Sequence, residues 1–155
     1  MKTHALRAAL LAAVTAGALA TPQAADAGYR QYYTSWSYHP QRSYHYRTYF
    51  YRPVVSTPTY HHHYVVYRPA TPRYVYYYNP RRQVYWGRYD LEGEKGKEYS
   101  LLAEKDRKKD LEDIPESAFP PPAEMPQIPD AEDGAKLLPP PTDKPVEAEQ
   151  AEDLP

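Results

Sequence analysis

Tyr74-Val75-Tyr76-Tyr77-Tyr78-Asn79-Pro80-Arg81-Arg82-Gln83-Val84-Tyr85-Trp86-Gly87-Arg88-Tyr89 is the stretch on which the fold turns. Two runs of aromatic and β-branched residues, which suit strands, flank a polar break. Asn then Pro fits the first two positions of a type I turn. Pro80 cannot adopt positive φ, so a two-residue type I′ loop is excluded and a four-residue loop over residues 79–82 is expected. Pairing Tyr78 with Gln83 then sets Val75 opposite Trp86 and Tyr77 opposite Val84 on one face, and Tyr76 opposite Tyr85 on the other. Each such pair contributes about 0.2–1 kcal/mol.

A lone hairpin is marginal in water, so this one needs further elements. Upstream, Tyr64-Val65-Val66-Tyr67 reads as a third strand. Downstream, residues 100–113 read as a helix: Ser100 caps it, Leu101, Leu102, Leu111 and Ile114 are its apolar positions, Glu104 and Lys108 form an i,i+4 pair, and Pro115 ends it. The expected fold is mostly disordered, with a small β-hairpin or three-stranded meander at about residues 64–89, one short α-helix at about residues 100–113, and an N-terminal signal helix.

Charge is sorted along the chain. Residues 28–89 contain no Asp, Glu or Lys, but nine Arg and 17 of the 18 Tyr. From residue 90 onward, 19 acidic residues oppose eight basic ones. Blocks of this kind mark interaction surfaces or self-pairing. Four segments result: a signal peptide at residues 1–27, a Tyr/Arg/His-rich low-complexity arm at 28–63, the hairpin-plus-helix module at 64–114, and an acidic, Pro-rich, disordered tail at 115–155.

The signal reading rests on Lys2 and Arg7, the apolar run at residues 8–20, and the small-residue pattern Ala25-Asp26-Ala27. That run is short for a bilayer span, and no second one follows, so the mature chain is expected to lack a transmembrane segment and to be secreted, periplasmic or held at the cell envelope. With no Cys, disulfides, thiolate metal sites and Cys nucleophiles are excluded. After residue 27 only seven Leu, two Ile, seven Val and two Phe remain. That share lies below the roughly 20% under which disorder is the default expectation.

Residues 75–122, with Tyr85-Trp86-Gly87-Arg88-Tyr89-Asp90 and Ile114-Pro115-Glu116-Ser117-Ala118-Phe119-Pro120, resemble uncharacterised secreted Tyr/Pro-rich proteins of planctomycete-type bacteria. The resemblance implies an exported bacterial protein and transfers no activity.

Two candidate sites follow from residue chemistry. Arg68, Arg73, Arg81, Arg82 and Arg88, interleaved with Tyr, offer permanent charge and ring faces to a polyanion. Intramolecular pairing with Tyr and with the acidic block is the competing reading. His61-His62-His63 offers imidazoles for zinc or copper, although adjacent residues of an extended chain point to opposite faces. No Gly-rich phosphate loop, Gly-x-Ser-x-Gly or His-Glu-x-x-His occurs, so no enzyme is expected. The expected function is a small exported structural or interaction protein. Its cationic Tyr/Arg-rich arm would contact an anionic envelope, polysaccharide, matrix or protein surface, with no specific nucleic acid and no required cofactor. The alternatives are a His-based metal-binding protein and a Tyr-cross-linked matrix component.

Overall fold

The computed structural model describes residues 30–146. The predicted signal segment and its helix lie outside the described residues. Seven strands form one antiparallel sheet: β1 (Gln31–Tyr33), β2 (Ser37–His39), β3 (Tyr44–Tyr51), β4 (His61–Tyr67), β5 (Tyr74–Asn79), β6 (Val84–Glu94) and β7 (Lys97–Leu101). β1 and β2 both lie along one edge of β3. From β3 to β7 each strand pairs with the next, which is an up-and-down meander.

Turn chemistry sets this order. Two four-residue turns, at residues 40–43 and 80–83, each begin with Pro and end in a left-handed residue, Ser43 (φ 52) and Gln83 (φ 55). Asn79 Oδ1 accepts from the backbone N–H of Arg81 (3.0 Å) and Arg82 (3.2 Å), which fixes the second turn. The loop therefore begins one residue later than expected, and Asn79 pairs with Val84. A bulge next adds Trp86 between the Tyr78–Tyr85 and Tyr77–Gly87 pairs, so Val75 faces Tyr89 and Tyr76 faces Arg88. Gly87 is required here: a Cβ would lie 2.4 Å from Tyr99 Oη. β6 then runs on to a two-residue turn, Lys95-Gly96, with Gly96 at φ 87.

The sheet curls into a half-barrel. Tyr33 and Tyr77 stand three strands apart, roughly 14 Å in a flat sheet, yet their hydroxyls meet at 2.8 Å. The inner face buries Tyr49, Tyr51, Val65, Tyr67, Val75, Tyr77, Trp86, Tyr89 and Tyr99, together with Ile128 and Leu137 from the acidic segment. The outer face buries Val66, Tyr76 and Tyr85 under Leu102 and Ile114.

Two expectations are thereby corrected. First, the chain is not mostly disordered. The aliphatic count underestimates a core in which six of eleven inner-face residues are Tyr. A buried phenol calls for a hydrogen-bond partner: Tyr49, Tyr51 and Tyr77 of this core have one, whereas Tyr99 Oη has none. Tyr33 Oη donates to Leu138 O (2.6 Å), which leaves Tyr77 to donate to Tyr33. Tyr49 Oη donates to Gln31 Oε1 (2.6 Å), and Tyr51 Oη meets His63 Nε2 at 3.1 Å.

Second, no α-helix forms over residues 100–113. Ser100 and Leu101 belong to β7, and the rest follows an extended path with short 3₁₀ turns at Glu104–Asp106, Leu111–Asp113 and Glu116–Ala118. Four apolar positions separated by a long polar gap do not make one helical face, and a helix of this length is marginal alone. Pairing with β6 captures its N-terminal residues instead.

After β7 the chain crosses the outer face at residues 102–119. It pairs Ala123 with Tyr99 at the free edge of β7, then fills the inner face with Ile128 and Leu137. The acidic segment, as far as residue 146, is thus packed against both faces of the sheet it follows.

Candidate functional site

The five arginines singled out from the sequence do not form one patch. Arg73 makes a two-pronged pair with Asp90 (2.9 and 2.8 Å). Burial alone would push the Asp90 carboxyl upward, but the bonds from Arg73 and from the Glu92 N–H outweigh it and hold the carboxyl below its ordinary value. Arg88 grips Glu116 (2.9 and 2.5 Å), with its guanidinium 3.9 Å from the Tyr74 ring and 4.1 Å from the Phe119 ring. Arg68 meets Glu112 at 2.6 Å, and Arg82 meets Glu104. Two further arm arginines are clasped in the same way. Arg30 holds Asp133 at 2.5 Å, and Arg47 holds Asp143 at 2.9 Å while lying 4.0 Å over Trp36. Six of the nine arginines of residues 28–89 therefore pair with carboxylates from the acidic block. Among the described residues, Arg42 and Arg81 form no ion pair.

The His triplet divides across β4. His61 and His63 contact the Tyr51 ring, whereas His62 lies on the other face between Phe50 and Tyr64. Among the described residues, no three metal-ligating side chains come together. His63 is buried. Desolvation, then repulsion from His62, His61 and Arg81, lowers its pKa to about 3, so it is neutral at ordinary pH.

What does converge is the mouth of the half-barrel at the β5–β6 turn. A cavity of about 660 Å³ lies between this turn and the segment carrying Ile128. Arg81, Arg82, Arg107, His63, Trp86 and Asp130 line it. Its size is that of a small-molecule site. Arg82 and Arg107 share Glu104, so three guanidinium groups stand with two carboxylates, Glu104 and Asp130, and the cluster has one positive charge in excess, while Arg81 itself forms no ion pair among the described residues. Trp86 and His63, 6% and 4% exposed, line the cavity, and each has a ring nitrogen, Nε1 and Nδ1, without a hydrogen-bond partner. Such groups are costly to bury unmatched. A second cavity of about 380 Å³ shares His63, Asn79, Arg81 and Asp130 with the first, and continues over the rim to His62 and Tyr60.

The structure thus brings together Arg81, Arg82 and His63, and sets Arg68, Arg73 and Arg88 elsewhere. Sequence reasoning missed Arg107, Trp86 and Asp130. Arg107 lies in the segment expected to be helical, Trp86 enters the sequence reading only as the cross-strand partner of Val75, and Asp130 falls in the segment expected to be a disordered tail. The basic cluster Lys105-Asp106-Arg107-Lys108-Lys109 was the one available signal. Compared with protein-family models, with curated proteins and with solved structures, the chain matches none of them.

Proposed function

We propose that the protein is an exported interaction protein that holds an anionic group of an envelope or matrix polymer in the mouth of its half-barrel. One observation carries the reading: six of the nine arginines of residues 28–89 pair with the chain's own acids, but Arg81 forms no ion pair among the described residues and lines the mouth together with two residues whose buried ring nitrogens are unpartnered. A guanidinium is suited to carboxylate and sulfate, and it remains charged at every relevant pH. Export is supported by the character of residues 1–27 and by the resemblance drawn from residues 75–122.

Replacing Arg81 by Gln is expected to weaken binding of a glucuronate-bearing polymer by roughly ten- to a hundredfold, the loss of one charged hydrogen bond of about 1.5–3 kcal/mol. It is also expected to flatten the salt dependence by about one released counterion. Arg68→Gln, which removes a partly exposed pair with Glu112 away from the mouth, is expected to leave binding unchanged. Titration calorimetry across a salt series measures both. Equal affinity of wild type and Arg81→Gln would contradict the reading.

A further inference from the structure

The outer face divides into two halves. Residues 102–119 cover the side of Val66, Tyr76 and Tyr85. Toward β1 and β3 the aromatic rings face solvent or are half-buried, and they form an unbroken series. Tyr60 meets Tyr32 at 5.4 Å between ring centres, Tyr32 meets Phe50 at 5.0 Å, Phe50 meets His62 at 5.9 Å, His62 meets Tyr64 at 5.4 Å, and Tyr64 meets Tyr46 at 5.6 Å. Tyr32 and Tyr60 are 41% and 37% exposed. Single exposed rings need no explanation, but a contiguous, partly exposed strip marks an interaction surface.

The two ends of this strip are informative. One end, Tyr60 and His62, lines the rim cavity that also holds Arg81. The other end, Tyr46 and Tyr64, lines a separate groove of about 360 Å³ together with Arg42. Arg42 and Arg81, which form no ion pair among the described residues, therefore stand at opposite ends of one aromatic track.

We infer that this track binds an extended, sparsely charged acidic polysaccharide, with one acid unit at Arg81, another toward Arg42, and uncharged sugar faces lying on the rings between. The inference rests on the anion-binding reading of the mouth. Sugar ring faces present C–H groups that pack on the negative face of an aromatic ring. A single-stranded nucleic acid also stacks on rings, but it carries a phosphate at every unit and needs a positive groove along its whole backbone. Cations at the two ends match a chain with spaced charges.

The test uses the full chain and hyaluronan oligosaccharides, which carry one carboxylate per disaccharide, with free glucuronate as the single-unit probe. Affinity is expected to rise with oligosaccharide length and then level off. Tyr32→Ala and Arg42→Gln, both at exposed positions, are expected to abolish that rise by about tenfold while leaving glucuronate binding intact. Thermal melts confirm that both variants fold. Arg81→Gln is expected to weaken every length. Length-independent, Arg81-dependent binding would overturn the track and leave the mouth reading standing. No binding of any saccharide by wild type would overturn both. Tyr32-dependent binding of oligothymidylate as tight as that of hyaluronan would overturn the saccharide assignment.

Discussion

A chain ending at Phe119 is expected to fail to fold, although it retains every strand of the sheet. The missing residues include Ile128 and Leu137, both 1% exposed and both packed in the inner-face cluster. Removing even one such side chain to Ala costs about 2–5 kcal/mol. The truncation also takes Asp133 from Arg30 and Asp143 from Arg47, whose side chains are 8% and 3% exposed. Both carboxylates are half-exposed, so losing these pairs costs less than breaking a fully buried one but adds in the same direction. It further removes the acceptor of Tyr33 Oη, Leu138 O, and the Leu138 N–H donor to Gln31 Oε1. Against a total stability of about 5–15 kcal/mol for a small domain, these losses are decisive. Near-ultraviolet circular dichroism and urea titration read the outcome. Leu137→Ala, as a milder variant, is expected to lower the urea midpoint without abolishing folding. A truncated chain with the wild-type midpoint would contradict the packing described.

Acid is expected to destabilise the protein well above the carboxylate range, because His63 is folded as a neutral base. Its pKa falls from an ordinary value of about 6.5 to about 3. Above pH 6.5 both folded and unfolded chains hold it neutral, and its contribution is fully present. As pH falls from 6.5 toward 3, the unfolded chain takes up a proton that the folded chain refuses, so stability declines through that window by roughly 3–5 kcal/mol. The groups set against it, His61, His62 and Arg81, repel its charged form, while Tyr51 and Trp86 surround it with rings. The carboxylates of Asp90, Glu112 and Glu116 are depressed as well, but their contribution is lost only as pH falls through and below the usual carboxylate range. His63→Gln separates the two effects. The variant is expected to be less stable at neutral pH and nearly flat between pH 6.5 and 5, where wild type slopes. A wild type whose urea midpoint does not change over that interval would contradict a buried neutral His63.

How much of this could be read from the chain depends on which signal carried each element. The β5–β6 hairpin was legible because aromatic runs flank a Pro-containing break. Its register was not, because Gln83 takes a left-handed conformation without being Gly or Asn, and because the bulge at Trp86 leaves no mark in the sequence. β7 was lost to a helix reading that Ser100 and two adjacent Leu encouraged, although Lys95-Gly96 is a turn signal. The largest gap was β1 to β3. An aliphatic count leaves Tyr out, but here phenol rings fill the core, and the hydroxyls of Tyr33, Tyr49 and Tyr51 are matched by the backbone of Leu138, Gln31 and His63. Segregation of charge was plain from the sequence. That it is largely spent within the molecule, Arg by Arg against specific acids, required the sheet to place them. The candidate mouth was legible only as separate residues, Arg81, Arg82 and His63, whose convergence depends on a turn and a strand start that lie far apart in the chain.

The acidic segment is part of the fold rather than a tail attached to it. Native-state hydrogen exchange tests this most directly, because the segment's amides have defined acceptors. Ala123 N donates to Tyr99 O (2.8 Å), Ile128 N to Ala135 O (2.9 Å), and Leu137 N to Pro126 O (2.8 Å). Amides that open only with the whole structure share its protection. The expected result is that Ala123, Ile128 and Leu137 are protected to the same degree as Val65 and Val75 at the centre of the sheet. Exchange of those three amides at unfolded-chain rates, with Val65 and Val75 still protected, would contradict the account.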